Sequence, residues 1–152
     1  MKYLKSVTLS VFAKPSEEDV SKVRNALIAL VPLNLDEGKI VVKEEKAEGF
    51  NQQPILVYTI TLTKESHTNA FLKALLEKLT PGQRELLTSQ RESRLDNDLN
   101  FFMRLDKGKW MDERELSITD SGRCFHIRML LAAYPARRPD ALVLVEKIFK
   151  PD

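Results

Sequence analysis

The sequence has a single cysteine, two histidines and no long apolar run, and these absences exclude several classes of protein. Cys124 cannot form an intrachain disulfide, and its isolation favours a reducing compartment. A transmembrane helix needs a run of about 18 apolar residues, and the sequence contains no such run. The first residues alternate in polarity, whereas a secretory signal needs an unbroken apolar region. We therefore expect a cytoplasmic protein that makes no membrane contact.

The sequence also lacks the motifs of common cofactor sites. It contains neither G-x-G-x-x-G nor G-x-x-x-x-G-K-[ST], and its cysteine and histidines cannot supply a zinc site. Cys124 and His126 would share one strand face, but no third group completes a nucleophilic site, so a structural pairing is favoured. Acidic residues at 96–98 and 112–115 leave open a metal-dependent nuclease, although such clusters are usually only solvated. We expect no cofactor, no metal and no catalysis.

The net charge of +2, from 24 basic and 22 acidic residues, is too small to indicate nucleic-acid binding by itself. The distribution of the basic residues is more informative. Nine of the ten arginines follow residue 80, whereas ten of the fourteen lysines precede it. Arginine is the better side chain for bidentate phosphate contacts and for stacking on bases. The second half of the chain is therefore the candidate for recognising a polyanion.

Periodicity predicts a single domain over residues 1–152 with the order β-α-β-β-α-α-β-β-α. The predicted strands cover residues 3–12, 39–46, 54–62, 99–105 and 123–133, with a further short strand around Leu116. The predicted helices start near residue 17, at residues 64 and 81 and near residue 136, and Thr80 with Gln83 is typical of a capping box. Hairpins outnumber crossovers, so we expect an α+β fold: a two-layer, mostly antiparallel sheet with helices packed on one face.

The last two strands each predict one apolar face and one mixed face. In the fourth strand Phe102, Arg104 and Asp106 would share the mixed face, and in the fifth strand Cys124, His126 and Arg128 would do so. If the strands pair, aromatic rings and guanidinium groups gather on an open sheet face. Several RNA-binding folds stack unpaired bases in this way.

The segment after the fifth strand, A-Y-P-A-R-R-P, adds Tyr134, Arg137 and Arg138 at the start of the last helix. Arginines do not suit the positive end of a helix dipole, but a phosphate bound there would satisfy them and the free N–H groups. The simpler interpretation of each feature also stands. Arg104 would pair with a neighbouring acid, the two arginines would be solvated, and Phe102 would be covered by a loop or a partner subunit.

The stretch L-N-F-F-M-R-L-D-K, followed downstream by H-I-R-M-L-L-A-A-Y-P-A-R-R, resembles an archaeal RNA-binding domain family described as predicted exosome subunits. Its pattern of Asn, aromatic residues and Arg-x-Asp-Lys falls here on Asn100 to Lys107. The resemblance spans nearly the whole chain and implies a cytosolic α+β fold like that of the large-subunit ribosomal protein that binds 5S RNA. The family often has glycine where this chain has Leu99, so we expect a different turn into the strand.

The resemblance and the residue pattern together predict a non-catalytic RNA-binding protein, with an accessory role in RNA processing or degradation and a contact with the exosome or other RNA-processing proteins. The alternative is a protein-interaction or homodimerisation module that buries Phe102 against a partner. The predicted RNA-binding residues are Phe102, Arg104, Lys107, Arg128, Tyr134, Arg137 and Arg138.

Overall fold

A computed structural model describes residues 2–150, without the side chain of Phe50, and contains a five-stranded antiparallel open sheet of order β2-β3-β1-β5-β4. The strands are β1 (Leu4–Ala13), β2 (Val42–Glu48), β3 (Pro54–Leu62), β4 (Asn100–Asp106) and β5 (Cys124–Leu131). The helices are α1 (Val20–Ile28), α2 (Glu65–Lys78), α3 (Pro81–Ser89), α4 (Arg91–Arg94), α5 (Lys107–Glu113) and α6 (Arg138–Phe149). The predicted α+β class and its antiparallel sheet are confirmed.

The predicted element order is correct, but two short helices were not predicted. α4 follows α3 directly, and α5 occupies part of the segment for which only a short strand around Leu116 was expected. In place of the short strand expected around Leu116, this segment has an isolated antiparallel bridge two residues later, which joins Ile118 to Leu105. No helix within residues 2–150 combines the length and the apolar character that crossing a membrane requires.

The start and end of α5 have local causes. The Asp106 carboxylate accepts a hydrogen bond from the Lys109 N–H at 2.9 Å, which caps the helix. Arg114 ends it in the left-handed region with φ 53°. The Arg114 guanidinium donates to the Trp110 carbonyl at 2.9 Å and lies 5.6 Å from the centre of the Trp110 ring. This arrangement fixes the helix in a segment with weak periodicity.

The chain divides into two compact units whose boundaries fall within β1, β3, β4 and β5. The first unit takes its described residues from 1–7, 62–103 and 128–152, and the second from 8–61 and 104–127. The expectation of one domain over residues 1–152 stays a prediction.

In the first unit, α6 contacts α3 and α4. The rings of Phe101 and Phe149 pack with their centroids 5.5 Å apart, and both side chains are buried. An ion pair of 2.8 Å joins Arg91 to Glu146. Apolar burial and this pair together attach the last helix to α3 and α4, where the predicted arginines of residues 137–138 begin α6.

In the second unit, α1 contacts α5. The Trp110 indole N–H donates to the Ala26 carbonyl at 2.8 Å, and the ring is buried. This bond satisfies a polar group that would otherwise be costly to bury. Because α5 follows β4 without a loop, the contact also holds the end of β4 in place.

The two strands of interest alternate as predicted. In β4, Phe101, Met103 and Leu105 are buried, whereas Phe102 and Arg104 are exposed. In β5, Phe125, Ile127 and Met129 are buried and Arg128 is exposed. Cys124 departs from the pattern, since it is buried although alternation places it with His126.

The turn before β4 explains why glycine is common at this position in the resembling family. Leu99 has φ 69°, in the left-handed region where any L-residue with a Cβ is strained. Its side chain is buried, and its carbonyl accepts from the Leu131 N–H at 3.0 Å. Burial of the leucine therefore offsets part of the backbone strain.

The capping box at the start of α3 gives a direct test of how the helix begins. The Thr80 hydroxyl accepts from the Gln83 N–H at 3.1 Å, and the Gln83 side chain accepts from the Thr80 N–H at 2.9 Å. We predict that Thr80→Ala lowers the free energy of unfolding by about 1 kcal/mol, measured by urea denaturation. Thr80→Ser keeps the hydroxyl and is the matched control. Equal losses in both variants would contradict this account.

Candidate nucleic-acid interface

In the first unit, an exposed aromatic ring lies opposite an exposed guanidinium. The Leu131 N–H to Leu99 carbonyl bond pairs the ends of the two strands. Counting three residues along each antiparallel strand from this bond places Phe102 opposite Arg128. Phe102 is 41% exposed, an unusual fraction for a phenylalanine in the centre of a strand. The pair thus presents a stacking surface beside a cation.

Arg128 also has an acidic neighbour in this unit. Burial alone would raise the pKa of Asp96, but hydrogen bonds from the Asn100 backbone and side chain and from the Asp98 N–H lower it below its usual value, and the Arg128 charge contributes. Asp96 is therefore an ionised turn-forming residue. Its carboxylate already accepts three hydrogen bonds at 2.8–3.2 Å, which explains it without a bound metal.

Sequence reasoning missed Arg94, which lies beside the Phe102 backbone. Its guanidinium donates to the Gln90 side chain at 2.6 and 2.9 Å and to the Phe102 carbonyl at 3.3 Å. No local pattern indicates this, because the contact depends on the fold of α4 against β4. Arg94 adds a half-buried cation next to the Phe102 backbone.

The predicted arginines at the start of α6 are engaged by protein groups. The Arg138 guanidinium donates to the carbonyls of Glu92 at 2.7 Å and Leu95 at 2.8 Å, which places it at the C-terminal end of α4. Arg137 forms an ion pair of 3.1 Å with Asp140. A cation at a helix C-terminus is favourable, so Arg138 has a structural role there.

Tyr134 precedes these arginines and is the most exposed large hydrophobic side chain of the chain's described part, at 98%. It is joined to Pro135 by a cis peptide bond. An aromatic ring held in full contact with water is available to stack on a base without any rearrangement of the core. The Tyr134 ring is thus sterically accessible for its predicted role of stacking on a base.

In the second unit, Arg104 lies opposite His126. The Lys107 N–H donates to the Arg123 carbonyl at 3.3 Å, and counting three residues back from Lys107 and three residues forward from Arg123 pairs Arg104 with His126. The Arg104 guanidinium donates to the Asp120 carbonyl at 3.1 Å, whereas the simpler interpretation expected a pairing with the carboxylate of a neighbouring acid. Arg104 is therefore an exposed cation held by a backbone oxygen.

An aromatic residue that sequence reasoning did not select completes this cluster. Phe12 is 48% exposed, and its ring meets the His126 ring edge-on with centroids 6.1 Å apart. Burial lowers the pKa of His126, and the Arg104 charge lowers it further, so the imidazole is neutral at pH 7. A neutral imidazole beside an exposed phenyl ring is a second surface suited to stacking.

Lys107 is placed differently from the expectation. Lys107 is only 4% exposed, and its ammonium donates to the Phe12 carbonyl and to the Glu18 carboxylate, both at 2.7 Å. Burial alone would raise the pKa of Glu18, but the hydrogen bond from Lys107 and the Lys14 N–H lower it below the usual value. Direct phosphate contact by Lys107 stays a prediction, and its observed contacts are structural.

The Cys124 and His126 pair does not have the chemistry of a nucleophilic site. The Cys124 sulphur lies 3.5 Å from His126 Nε2, so the two residues are neighbours. Burial raises the pKa of the thiol, and Asp106 adds to this effect against the opposing charges of Arg104 and Lys107. A covalent catalyst needs a lowered thiol pKa, because the thiolate is the nucleophile. The structural interpretation of the pair is favoured.

The acidic residues of the nuclease alternative are not gathered into a metal site. Among the described residues, no group of three or more histidine, cysteine, aspartate and glutamate side chains is placed to hold a metal ion. What the geometry offers is instead a set of exposed rings and guanidinium groups on an antiparallel sheet. This combination is typical of proteins that bind single-stranded nucleic acid.

Comparison with known proteins identifies the class. The family model described as RNA binding matches residues 6–131, and the chain therefore belongs to this RNA-binding family. RNA-binding protein PAB1135 of Pyrococcus abyssi is 26% identical over 121 residues, which cover 80% of this chain and 78% of the relative.

Two solved structures extend the similarity to the fold. Protein AF2318 from Archaeoglobus fulgidus, a DUF54 protein, has a TM-score of 0.83 and 29% identity, covering 95% of this chain and 99% of that one. Mth689 from Methanothermobacter thermautotrophicus, also a DUF54 protein, has a TM-score of 0.78 and 26% identity, covering 97% and 99%. The architecture is thus shared over nearly the full length of both chains.

The charge of Arg104 beside His126 leads to a prediction about how the stability of the fold depends on pH. A histidine whose folded pKa lies below its unfolded value of about 6.5 takes up its proton less readily when folded, so stability falls as pH decreases through that value. We predict that Arg104→Gln raises the pKa of His126 and reduces this acid destabilisation. Imidazole NMR titration measures the shift directly, and His67 is the internal control. An unchanged His126 titration would contradict the proximity of the two side chains.

Proposed function

We propose that the chain is a non-catalytic RNA-binding protein that contacts unpaired RNA through exposed side chains of β4 and β5. The observation that carries the proposal is the exposed Phe102 ring opposite the exposed Arg128 guanidinium, in a chain of an RNA-binding family. Stacking on a ring is tolerant of base identity, and a guanidinium beside it meets the phosphate backbone.

The proposed roles differ among the predicted residues. Phe102 and Tyr134 stack on bases, and Arg104 and Arg128 meet phosphates or stack. Arg137 and Arg138 contribute charge while they hold the start of α6, and Lys107 supports the site from within. This division follows exposure, since a guanidinium already bonded to several carbonyls has fewer N–H groups left for RNA.

The absence of catalysis is supported by two observations. The Cys124 thiol is shifted towards its protonated form, and within the described residues the acids do not converge on a metal site. An accessory role in RNA processing or degradation, with an exosome contact, remains the finer prediction of the family resemblance, as does a fold like that of the 5S-RNA-binding ribosomal protein. The relatives named above come from archaea, and we propose a cytoplasmic role of the same kind here.

The alternative is a protein-interaction or homodimerisation module that covers Phe102. It is favoured by the same exposed ring, because an apolar surface is also a binding site for proteins. Light scattering at low and high salt separates the two functions. A dimer that persists at high salt and is lost in Phe102→Ala would favour the interaction module.

The decisive test is fluorescence anisotropy with one structured and one unstructured RNA at two salt concentrations. We predict salt-sensitive binding, and we expect Arg104→Ala/Arg128→Ala to weaken it and to reduce the log–log salt slope by roughly 1.4, or about 0.7 for each lost phosphate contact. Exposed side chains can be removed in this way without unfolding the protein, which circular dichroism verifies.

The matched control is Lys22→Ala/Arg24→Ala, which removes two exposed cations from α1 and gives the same change of net charge. It should leave affinity close to that of the natural sequence. Equal affinity in both double variants would remove Arg104 and Arg128 from the site. No binding to either RNA at low salt would contradict RNA binding altogether.

A further inference from the structure

We propose that a pocket beside Lys107 receives one unpaired base of the bound RNA and prefers guanine. The proposal rests on the RNA-binding function above and deepens it, because it names the base and the groups that read it. The pocket lies wholly in the second unit and has a volume of 270 Å³. Its lining includes Phe12, Glu18, Lys107 and Arg123.

The apolar wall of the pocket suits a base. The Phe12 ring is about half exposed and lies at 89° to the His126 ring, so part of its surface is open to a planar ligand. Stacking of this kind is worth a measurable share of the affinity for each base and does not depend on base identity. The ring therefore explains entry of a base but not the choice among bases.

The polar wall of the pocket determines which base is preferred. One carboxylate oxygen of Glu18 accepts from the Lys107 ammonium at 2.7 Å, and the other accepts from the Lys14 N–H at 2.9 Å. A carboxylate has about four acceptor positions and an ammonium three donors. Lys107 uses two donors, towards Phe12 and Glu18, so capacity remains on both groups. The wall thus presents an acceptor pair next to a donor.

Guanine has the complementary edge. Its N1–H and N2–H groups lie side by side and can donate to both carboxylate oxygens, while its adjacent O6 can accept from the ammonium. Adenine, cytosine and uracil each offer only one donor group at that edge. A bidentate contact of this type discriminates between bases by roughly tenfold or more.

The remaining charge of the pocket suits the backbone of the same nucleotide. Arg123 is exposed, and its guanidinium is 3.6 Å from the position that a Cβ would take on Gly108. Lys14 and Glu17 lie 4.0 Å apart and largely balance each other. Arg123 is therefore the cation positioned to meet a phosphate next to a base that has entered the pocket.

The test is fluorescence anisotropy with short oligouridines that carry one central guanosine, adenosine or cytidine, at one salt concentration. We expect the guanosine oligomer to bind the natural protein about tenfold more tightly than the others. Glu18→Gln should abolish this preference, because an amide cannot accept both N–H groups, while the weaker affinity for adenosine remains. Phe12→Ala should weaken all three oligomers.

The matched control is Glu45→Gln, which has the same charge change in the same unit and also removes one partner of a lysine ion pair. It should keep the preference. Equal binding of all three oligomers by the natural protein, or a preference that survives in Glu18→Gln, would overturn the pocket and leave RNA binding intact. Failure of every oligomer and of longer RNA would instead overturn the proposed function. Circular dichroism confirms that each variant is folded.

Discussion

The buried ammonium of Lys107 is the interaction on which the second unit's site depends. An isolated ammonium removed from water costs on the order of several kcal/mol, so its bonds to Glu18 and to the Phe12 carbonyl are obligatory. These bonds join the end of β1 to the first residue of α5. They hold the Phe12 backbone while its ring stays exposed, and they place a carboxylate and a cation on one pocket wall.

The first unit uses its cations differently. Arg138 donates to the Glu92 carbonyl in α4, and Arg94 donates to the Phe102 carbonyl in β4. These bonds position the segment that leads from α4 into β4. Arg128 remains exposed beside Phe102. Arginine suits both tasks, because its planar group forms several hydrogen bonds at once and also stacks. The concentration of arginine after residue 80 therefore serves the fold as well as the proposed contact with RNA.

The features that depend on short stretches of sequence were predicted correctly. The limits of β3, the capping box at Thr80 and the alternation that exposes Phe102 all follow from periodicity and hydrogen-bonding rules. The burial of Lys107 could not be predicted, because its partner Glu18 lies far away in the sequence and a lysine after an aspartate usually indicates a surface. Phe12 could have been predicted as a site residue, since alternation in β1 places it on the polar face, where an exposed aromatic ring indicates a binding surface.

The most direct measurement is a two-dimensional ¹H–¹⁵N NMR titration of the protein with unstructured RNA. We expect the amide shifts to concentrate at exposed positions of β4 and β5, with those of Phe102, Arg104 and Arg128 among the largest. Shifts confined to α2 and α3, with β4 and β5 unchanged, would contradict the claim that the exposed residues of these strands bind RNA.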